Sequence, residues 1–304
     1  MPSQRRFLIA GASGLVGTAL SRKLREDGHD VVTLVRRPSR GDQELTWDPS
    51  QGQLEGGLDA RGPIDVVVNL SGAGIADRRW SAARKREILE SRRSATRTLV
   101  KAMDEASQRP TAFLSSSAIG FYGDRGNDQL KEADEPGTGF LAEVCQAWEA
   151  EALAAADLGI RTVLLRTGIV LDREGGALAK QLPIFKAGLG GRLASGAQWT
   201  SWISLEDEVG AIAFLAAHDE VSGPVNLTAP APVTNAAFTK ALGSALHRPA
   251  VAVVPRLALA AALGGELVDE MLLASARVLP SVLLDAGYAF TSPELNAALA
   301  SLLR

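Results

Sequence analysis

The chain is short of the residues that build cross-linked, metal-bound or membrane-spanning proteins. Cys145 is its one cysteine, which excludes an internal disulfide and a cysteine-based metal centre. Three histidines, at 29, 218 and 247, are too scattered for a zinc cluster, so no metal is expected. The apolar run at 7–10 is too short for the core of a secretory signal. The apolar stretch 251–264 is interrupted by Pro255 and Arg256 and falls short of the ~20 residues a bilayer needs. A large excess of charge is missing too. With a net charge of −3 and an isoelectric point near 5.8, neither nucleic acid nor an anionic membrane is an expected partner. A cytoplasmic protein acting on a small-molecule substrate is the expectation that remains. Its 304 residues, 46% of them hydrophobic, suit one large α/β domain or a dinucleotide-binding domain with a smaller lobe.

What is present is an alternation of short apolar runs with helical patterns. Residues 7–10, 31–35, 65–70, 111–115 and 161–171 read as buried strands, and 15–25, 80–106 and 139–157 as helices. Strands without polar alternation, separated by helices, make a parallel sheet covered on both faces. Right-handed crossovers then give a doubly wound Rossmann sheet. Beyond Leu171 glycine pairs and tryptophans break the rhythm, and the remainder is Ala- and Leu-rich with frequent prolines. The expected division is a Rossmann core over 1–172 and a smaller, mostly helical lobe over 173–304, with 225–228 returning to the core sheet.

Gly11-Ala12-Ser13-Gly14-Leu15-Val16-Gly17 lies between the first strand and the first helix. Glycines there let backbone approach a pyrophosphate, while the helix N-terminus offers free N–H groups and the positive end of its dipole. A turn that only packs helix on strand is the structural alternative. The second strand runs into Arg36-Arg37 rather than the acidic residue that binds ribose hydroxyls. A guanidinium fork suits a 2′-phosphate, with a solvated basic loop as the bland alternative, so the expected cofactor is NADP(H).

Several motifs together resemble the extended short-chain dehydrogenase/reductase superfamily. They are the Gly-x-x-Gly-x-x-Gly spacing, Asn69-Leu70-Ser71-Gly72-Ala73, and Ser115-Ser116-Ser117 followed by Tyr122-Gly123. Arg78-Arg79-Trp80, Trp148-Glu149, the run Arg166-Thr167-Gly168-Ile169-Val170-Leu171, and Ser201-Trp202-Ile203 narrow the resemblance. They point to the atypical "epimerase family protein" branch, related to cell-division-inhibitor-like proteins and closed by a small uncharacterised C-terminal domain. The resemblance implies that Leu70, Ser71 and Gly72 line the adenosine and ribose side, with Ser115 at the next strand end. It places Arg166 and Gly168 beside the nicotinamide and Trp47-Asp48 beside the adenine. Arg92 replaces the asparagine usual on the long helix; it reaches the cofactor's phosphates or forms a surface pair with Glu87 or Glu90. Ser204 stands where the branch commonly has histidine.

The usual Tyr-x-x-x-Lys proton relay is absent. Tyr122 is followed four residues later by Gly126 and Tyr288 by Ser292, and the resemblance puts Leu141 and Cys145 in the two positions. Ser117 and Tyr122 are the remaining candidates to hold a substrate oxygen and supply a proton, Ser117 having local backbone bonding as its bland alternative. Two functions follow: an NADP(H)-dependent oxidoreductase or epimerase-like enzyme with a non-standard relay, or a catalytically silent cofactor-binding sensor.

Overall fold

The computed structural model describes residues 4–303. The chain runs β1 (Arg6–Ala10), α1 (Leu15–Glu26), β2 (Asp30–Val35), β3 (Glu44–Asp48), β4 (Gln53–Leu54), β5 (Val66–Asn69), α2 (Ala82–Asp104) and β6 (Ala112–Ala118). A short β7 (Gln129–Leu130) precedes α3 (Phe140–Leu153) and β8 (Arg161–Thr167). Along β1, Phe7 and Ile9 join one buried cluster and Leu8 and Ala10 the other; Val66 and Val67 divide the same way on β5. Strands buried on both faces need a helix layer on each. α1 covers one face, and α2 with α3 the other.

Chain excursions then leave and rejoin this core. β9 (Ile169–Leu171) and α4 (Gly176–Lys186) lead to β10 (Gly191–Leu193), β11 (Trp199–Thr200), β12 (Trp202–Ser204) and α5 (Leu205–Ala217), which packs beside α1. β13 (Gly223–Leu227) adds to the sheet alongside β8, in register from Gly223↔Val163 to Leu227↔Thr167. The eight-stranded order is β13-β8-β6-β5-β1-β2-β3-β4, parallel except for the β3–β4 pair. Strands therefore step outward in opposite directions from the β1–β5 pair, the kind of switch point where an open α/β sheet leaves a crevice at its C-terminal edge. Residues 173–222 lie outside the sheet while 223–227 lie inside it, so the sheet is completed by a strand well beyond residue 172.

β14 (Val233–Thr234), α6 (Asn235–Ala245), β15 (Ala252–Val254), α7 (Arg256–Leu263), α8 (Gly265–Leu267) and a π-helical turn (Val268–Leu273) follow. β16 (Arg277–Val278), α9 (Ser281–Asp285) and α10 (Leu295–Leu302) complete the described chain. α4, α6 and α10 pack around Trp202, Phe185 and Phe238 in a separate cluster. This lobe is sewn to the core by specific bonds. The Glu270 carboxylate accepts the N–H groups of Phe140 (2.9 Å) and Leu141 (2.8 Å) at the start of α3. Asn226 donates to the Leu279 carbonyl (3.0 Å), and β16 pairs with β7. Ser204 caps α5, and its Asp207 accepts the backbone N–H groups of Thr291 and Ser292. The residue standing where the branch commonly has histidine is thus a helix cap.

Two elements differ from the sequence expectation. β3 and β4 form a hairpin at the sheet edge; β3 has only Leu45 and Trp47 as inward residues, too few for a visible period. The single strand expected over 161–171 divides at Gly168, whose N–H bonds to Leu227 while the next residues pair with β12.

Candidate cofactor and active site

The glycine turn sits at the β1 side of the switch point. Gly11 has a positive φ of 82°, and a Cβ there would stand 2.6 Å from the Leu70 carbonyl oxygen. At Gly17 a Cβ would collide with the Gly11 carbonyl. These two glycines let the turn fold against itself and against the end of β5. Gly14 is different: a Cβ would meet only the Gly11 oxygen, at 3.4 Å, and the residue is exposed with Ser13. α1 has no side-chain cap and no acid in its first turn. The N–H groups of Leu15, Val16 and Gly17 have no acceptor among the described residues. α2, α5 and α6 are capped by Ser81, Ser204 and Thr234, whereas α4, α7 and α10 also lack a side-chain cap, so it is the exposed Gly14 turn in front of α1 that sets this end apart. An uncapped helix end facing open space across Gly14 fits an anionic pyrophosphate. Ala12 and Val16 pack onto the core below the turn, and Leu15 lies against Gly175 at the start of α4.

At the end of β2 the two arginines part company, which corrects the paired reading. Arg37 makes a two-pronged ion pair with Glu44 on β3, both contacts 2.7 Å. That pairing and the Arg40 backbone N–H hold the Glu44 carboxyl down to about 2. An acidic residue therefore does stand beside the second strand, contributed by a strand the sequence reading missed. Arg36 is exposed and lines a cavity of about 600 Å³ with Thr46, Trp47, Asp48, Gln53 and Leu54. It is the arginine of the pair with no ion-pair partner among the described residues.

Beyond β5 the turn 70–73 is braced from inside. Asn69, fully buried, accepts from the Ser71 N–H and hydroxyl and donates to Thr96 (2.9 Å). Leu70 packs on the core. Arg92 neither lies on the surface nor pairs with Glu87 or Glu90; those acids bind Arg84 and Arg93. It is 7% exposed, with Nη1 donating to the carbonyls of Ala73 (3.0 Å) and Ile88 (2.9 Å). Gly72 leaves room for it, since a Cβ there would come within 3.1 Å of the guanidinium carbon.

The ends of β6 and β8 hold a buried polar network that reassigns several expected site residues. Ser115 is fully buried and accepts from Asn69 at 3.5 Å. Ser117 donates to Glu149 Oε1 (2.6 Å), and Arg166 grips both oxygens of Glu149 (2.8 and 2.9 Å). Burial works against the Arg166 charge, and the Glu149 carboxylate more than restores it. Tyr122, fully buried, donates to Asn226 Oδ1 (2.7 Å) and accepts from Arg166 (3.0 Å). Burial raises its phenol above the ordinary value despite the neighbouring guanidinium. Tyr122 therefore has no open path to a substrate and is not the missing acid. Arg166 braces this network rather than facing the nicotinamide. Gly168 is a packing glycine, with a Cβ blocked by the Ser201 oxygen at 2.8 Å and Thr228 at 2.9 Å. Cys145 is buried beside Ala118, its thiol pushed up to about 11 by desolvation. Trp202 belongs to the lobe's core, and Trp199 lies under Arg277.

Sequence reasoning missed Glu208. Burial pushes its carboxyl up to about 8; Oε1 accepts from Thr167 (2.8 Å) and Oε2 has no partner. Glu206, Asp207 and Glu208 read together as acids of a helix first turn, which hides the two buried members, Asp207 and Glu208. Among the described residues no group of acidic, histidine or cysteine side chains is arranged to hold a metal, and no helix is long and apolar enough to cross a membrane.

Comparison with known proteins gives this geometry a family. Residues 7–227 match the model of the NAD dependent epimerase/dehydratase family, and 254–302 match a domain of unknown function, DUF1731. An epimerase family protein of Mycobacterium leprae is 44% identical over 291 residues, covering 96% of this chain and 93% of that protein. Epimerase family protein SDR39U1 of Homo sapiens is 36% identical over 298 residues, 97% of this chain and 98% of the relative. The crystal structure of human SDR39U1 with NADPH superposes with a TM-score of 0.90 at 33% identity, covering 98% of this chain and 99% of that one. A nucleoside-diphosphate sugar epimerase from Corynebacterium glutamicum gives 0.81 at 34%, over 99% of this chain and 58% of that one. With its Rossmann sheet, uncapped glycine turn and C-terminal DUF1731 segment, this chain belongs to the NAD dependent epimerase/dehydratase family.

Proposed function

We propose that this protein is an NADP(H)-dependent oxidoreductase acting on a small substrate with a carbonyl or hydroxyl group. The uncapped α1 terminus, open across Gly14, is the observation that carries the cofactor half of this reading. Arg36 beside its cavity, and the NADPH held by the human relative, support the phosphorylated cofactor. Ser13 to Gly17 would hold the pyrophosphate and Ser71 would lie near the ribose. When bound, the nicotinamide gives or takes a hydride.

Ser117, itself buried at 4% exposure against 0% for Tyr122, is the residue proposed to meet the substrate oxygen. Its proton is committed to Glu149, so its remaining lone pairs suit it to accept from a substrate hydroxyl rather than to donate to a carbonyl. A proton arriving at Ser117 Oγ can pass along that 2.6 Å bond to Glu149. This arrangement favours the alcohol as the bound form and gives the serine a positioning and relay role without a tyrosine. A second reading, a catalytically silent cofactor-binding sensor, is favoured by the sealed Tyr122. The test is calorimetric titration with NADPH and NADP+, followed by turnover of hydroxyl and carbonyl substrates by the parent and Ser117→Ala. Ser117→Ala should lose about a hundredfold in kcat with cofactor affinity kept. If cofactor binds and no substrate of either kind turns over, the sensor reading stands instead.

A further inference from the structure

We infer that Arg92 holds an oxyanionic group of the substrate, a carboxylate or a phosphate, on the α2 side of the cleft. This rests on the oxidoreductase reading for the identity of the reacting group, and on Arg92's own surroundings for the rest.

A guanidinium buried to this degree normally has a carboxylate beside it, because an unpaired interior charge loses its hydration with nothing in exchange. Arg92 has no ion pair among the described residues. The acids within reach of its helix are committed: Glu87 to Arg84, Glu90 to Arg93, Glu151 to Arg93 and Arg97. Glu149, on the facing helix α3, is held by Arg166 through both oxygens. The nearest titratable neighbours are the Cys145 thiol, neutral at pH 7, and Arg84, a second cation. Two backbone carbonyls accept from Nη1, which orients the group and leaves its unit charge unneutralised. Desolvation lowers the guanidinium only to about 10, so it stays protonated at neutral pH.

The free edge of the fork is not sealed. Nε and Nη2 make no hydrogen bond among the described residues, yet neither is a buried orphan, unlike Arg84 Nε. Both therefore keep contact with accessible space. The plane of the fork is held as well. Its carbon lies 4.9 Å from the Trp148 ring centre, and Gly72 lies on the turn against it. Trp148 is pinned by its Nε1 bond to Thr96 (3.0 Å), and Thr96 by Asn69. Two N–H donors on a preoriented planar fork, with no carboxylate paired to it among the described residues, match one planar oxyanion. The place matters too. Gly72 follows β5 at the switch point, and Asn69↔Ser115 register puts β6, with Ser117, next to it. The α1 N-terminus and Arg36 already provide for the cofactor's pyrophosphate and 2′-phosphate on the proposed reading, so the oxyanion assigned to Arg92 is the substrate's. The substrate class is then a small hydroxy or oxo acid, or its phosphate-bearing counterpart.

The test uses the full chain saturated with NADPH and titrated calorimetrically with oxamate, a planar carboxylate that cannot be reduced, and separately with inorganic phosphate at constant ionic strength. At least one should bind saturably at one site; oxamate binding more tightly assigns a carboxylate, phosphate binding more tightly a phosphate ester. Arg92→Gln should weaken the anion by about tenfold or more while NADPH affinity stays within about threefold. Should Arg92→Gln melt early, Arg92→Lys keeps the charge without the fork and should weaken the anion several-fold at a parental Tm. The inference is overturned if neither anion binds the parent, if both variants bind the anion as the parent does, or if Arg92→Gln loses anion and NADPH together. Should the parent bind no NADPH at all, the oxidoreductase reading fails by itself, and the same titrations on cofactor-free protein still decide Arg92.

Discussion

The two ends of the cleft are made of different material. At α1 the contacts offered to a ligand are the backbone N–H groups of Leu15, Val16 and Gly17, with glycine where the main chain must close on itself. At the ends of β6 and β8 they are side chains already bonded to one another, across separations as long as the 104 residues from Tyr122 to Asn226. A backbone cradle is ready for its ligand when the local turn forms. A side-chain network first satisfies itself, and only what it leaves free is available for chemistry.

That contrast can be broken most sharply at Glu149. Glu149→Ala strands the Arg166 charge in the interior and should cost about 3–5 kcal/mol of unfolding free energy by urea denaturation. A loss below about 1 kcal/mol, the scale of an exposed pair, would mean the network is not the closed unit described. Next comes the cradle. Gly14→Val should fit the fold yet weaken NADPH by about a hundredfold or more, with Tm nearly unchanged. Gly17→Val should instead lower Tm, because its side chain meets the Gly11 carbonyl. Parental NADPH affinity in Gly14→Val would reduce the turn to packing.

A pH series separates the ends further. Glu208 has a folded pKa of about 8, above its unfolded value of ~4.3, so the unfolded chain holds fewer protons between those limits. Its contribution is therefore fully present below the unfolded pKa and is lost as pH rises towards 8. Glu208→Gln should remove that slope and raise stability at pH 8 by on the order of 3 kcal/mol, with little change at pH 4. Identical parent and variant curves would place an unseen partner on Oε2. The smallest effect divides the arginine pair: Arg36→Ala should weaken NADPH about tenfold relative to NADH, and Arg37→Ala about threefold or less. Equal losses would show that the Glu44 pair opens when cofactor binds.

These differences also mark what could be read from the letters alone. The parallel sheet, its helix layers and the glycine turn were legible because apolar runs and glycine spacing are local patterns. Arg37 was misassigned because its partner Glu44 belongs to β3, a strand too short to announce itself. Tyr122 looked free since nothing near it in sequence suggested Asn226 or Arg166 as neighbours. Glu208 was hidden by a composition that suits a helix start. Arg92 was legible as unusual, but its burial depended on Gly72 and Trp148, 20 residues before it and 56 after. The strand end at Gly168 was read as pocket wall because its close neighbours, Ser201 and Thr228, come from distant segments.

The bonds from Glu270 to the first N–H groups of α3 have a consequence for biosynthesis. They join residues 129 and 130 positions apart, as the Val282 N–H joins the Glu132 carboxylate across 150. A ribosome adding about 5–20 residues per second leaves the start of α3 to water for on the order of ten seconds after it emerges. The glycine cradle needs only β1, α1 and the end of β5, all within the first 70 residues. The residues of the cradle thus leave the ribosome long before those of the far wall of the cleft. A dinucleotide bound at the cradle would favour the folded form by mass action, and would do so from residues made well before those that close the far wall.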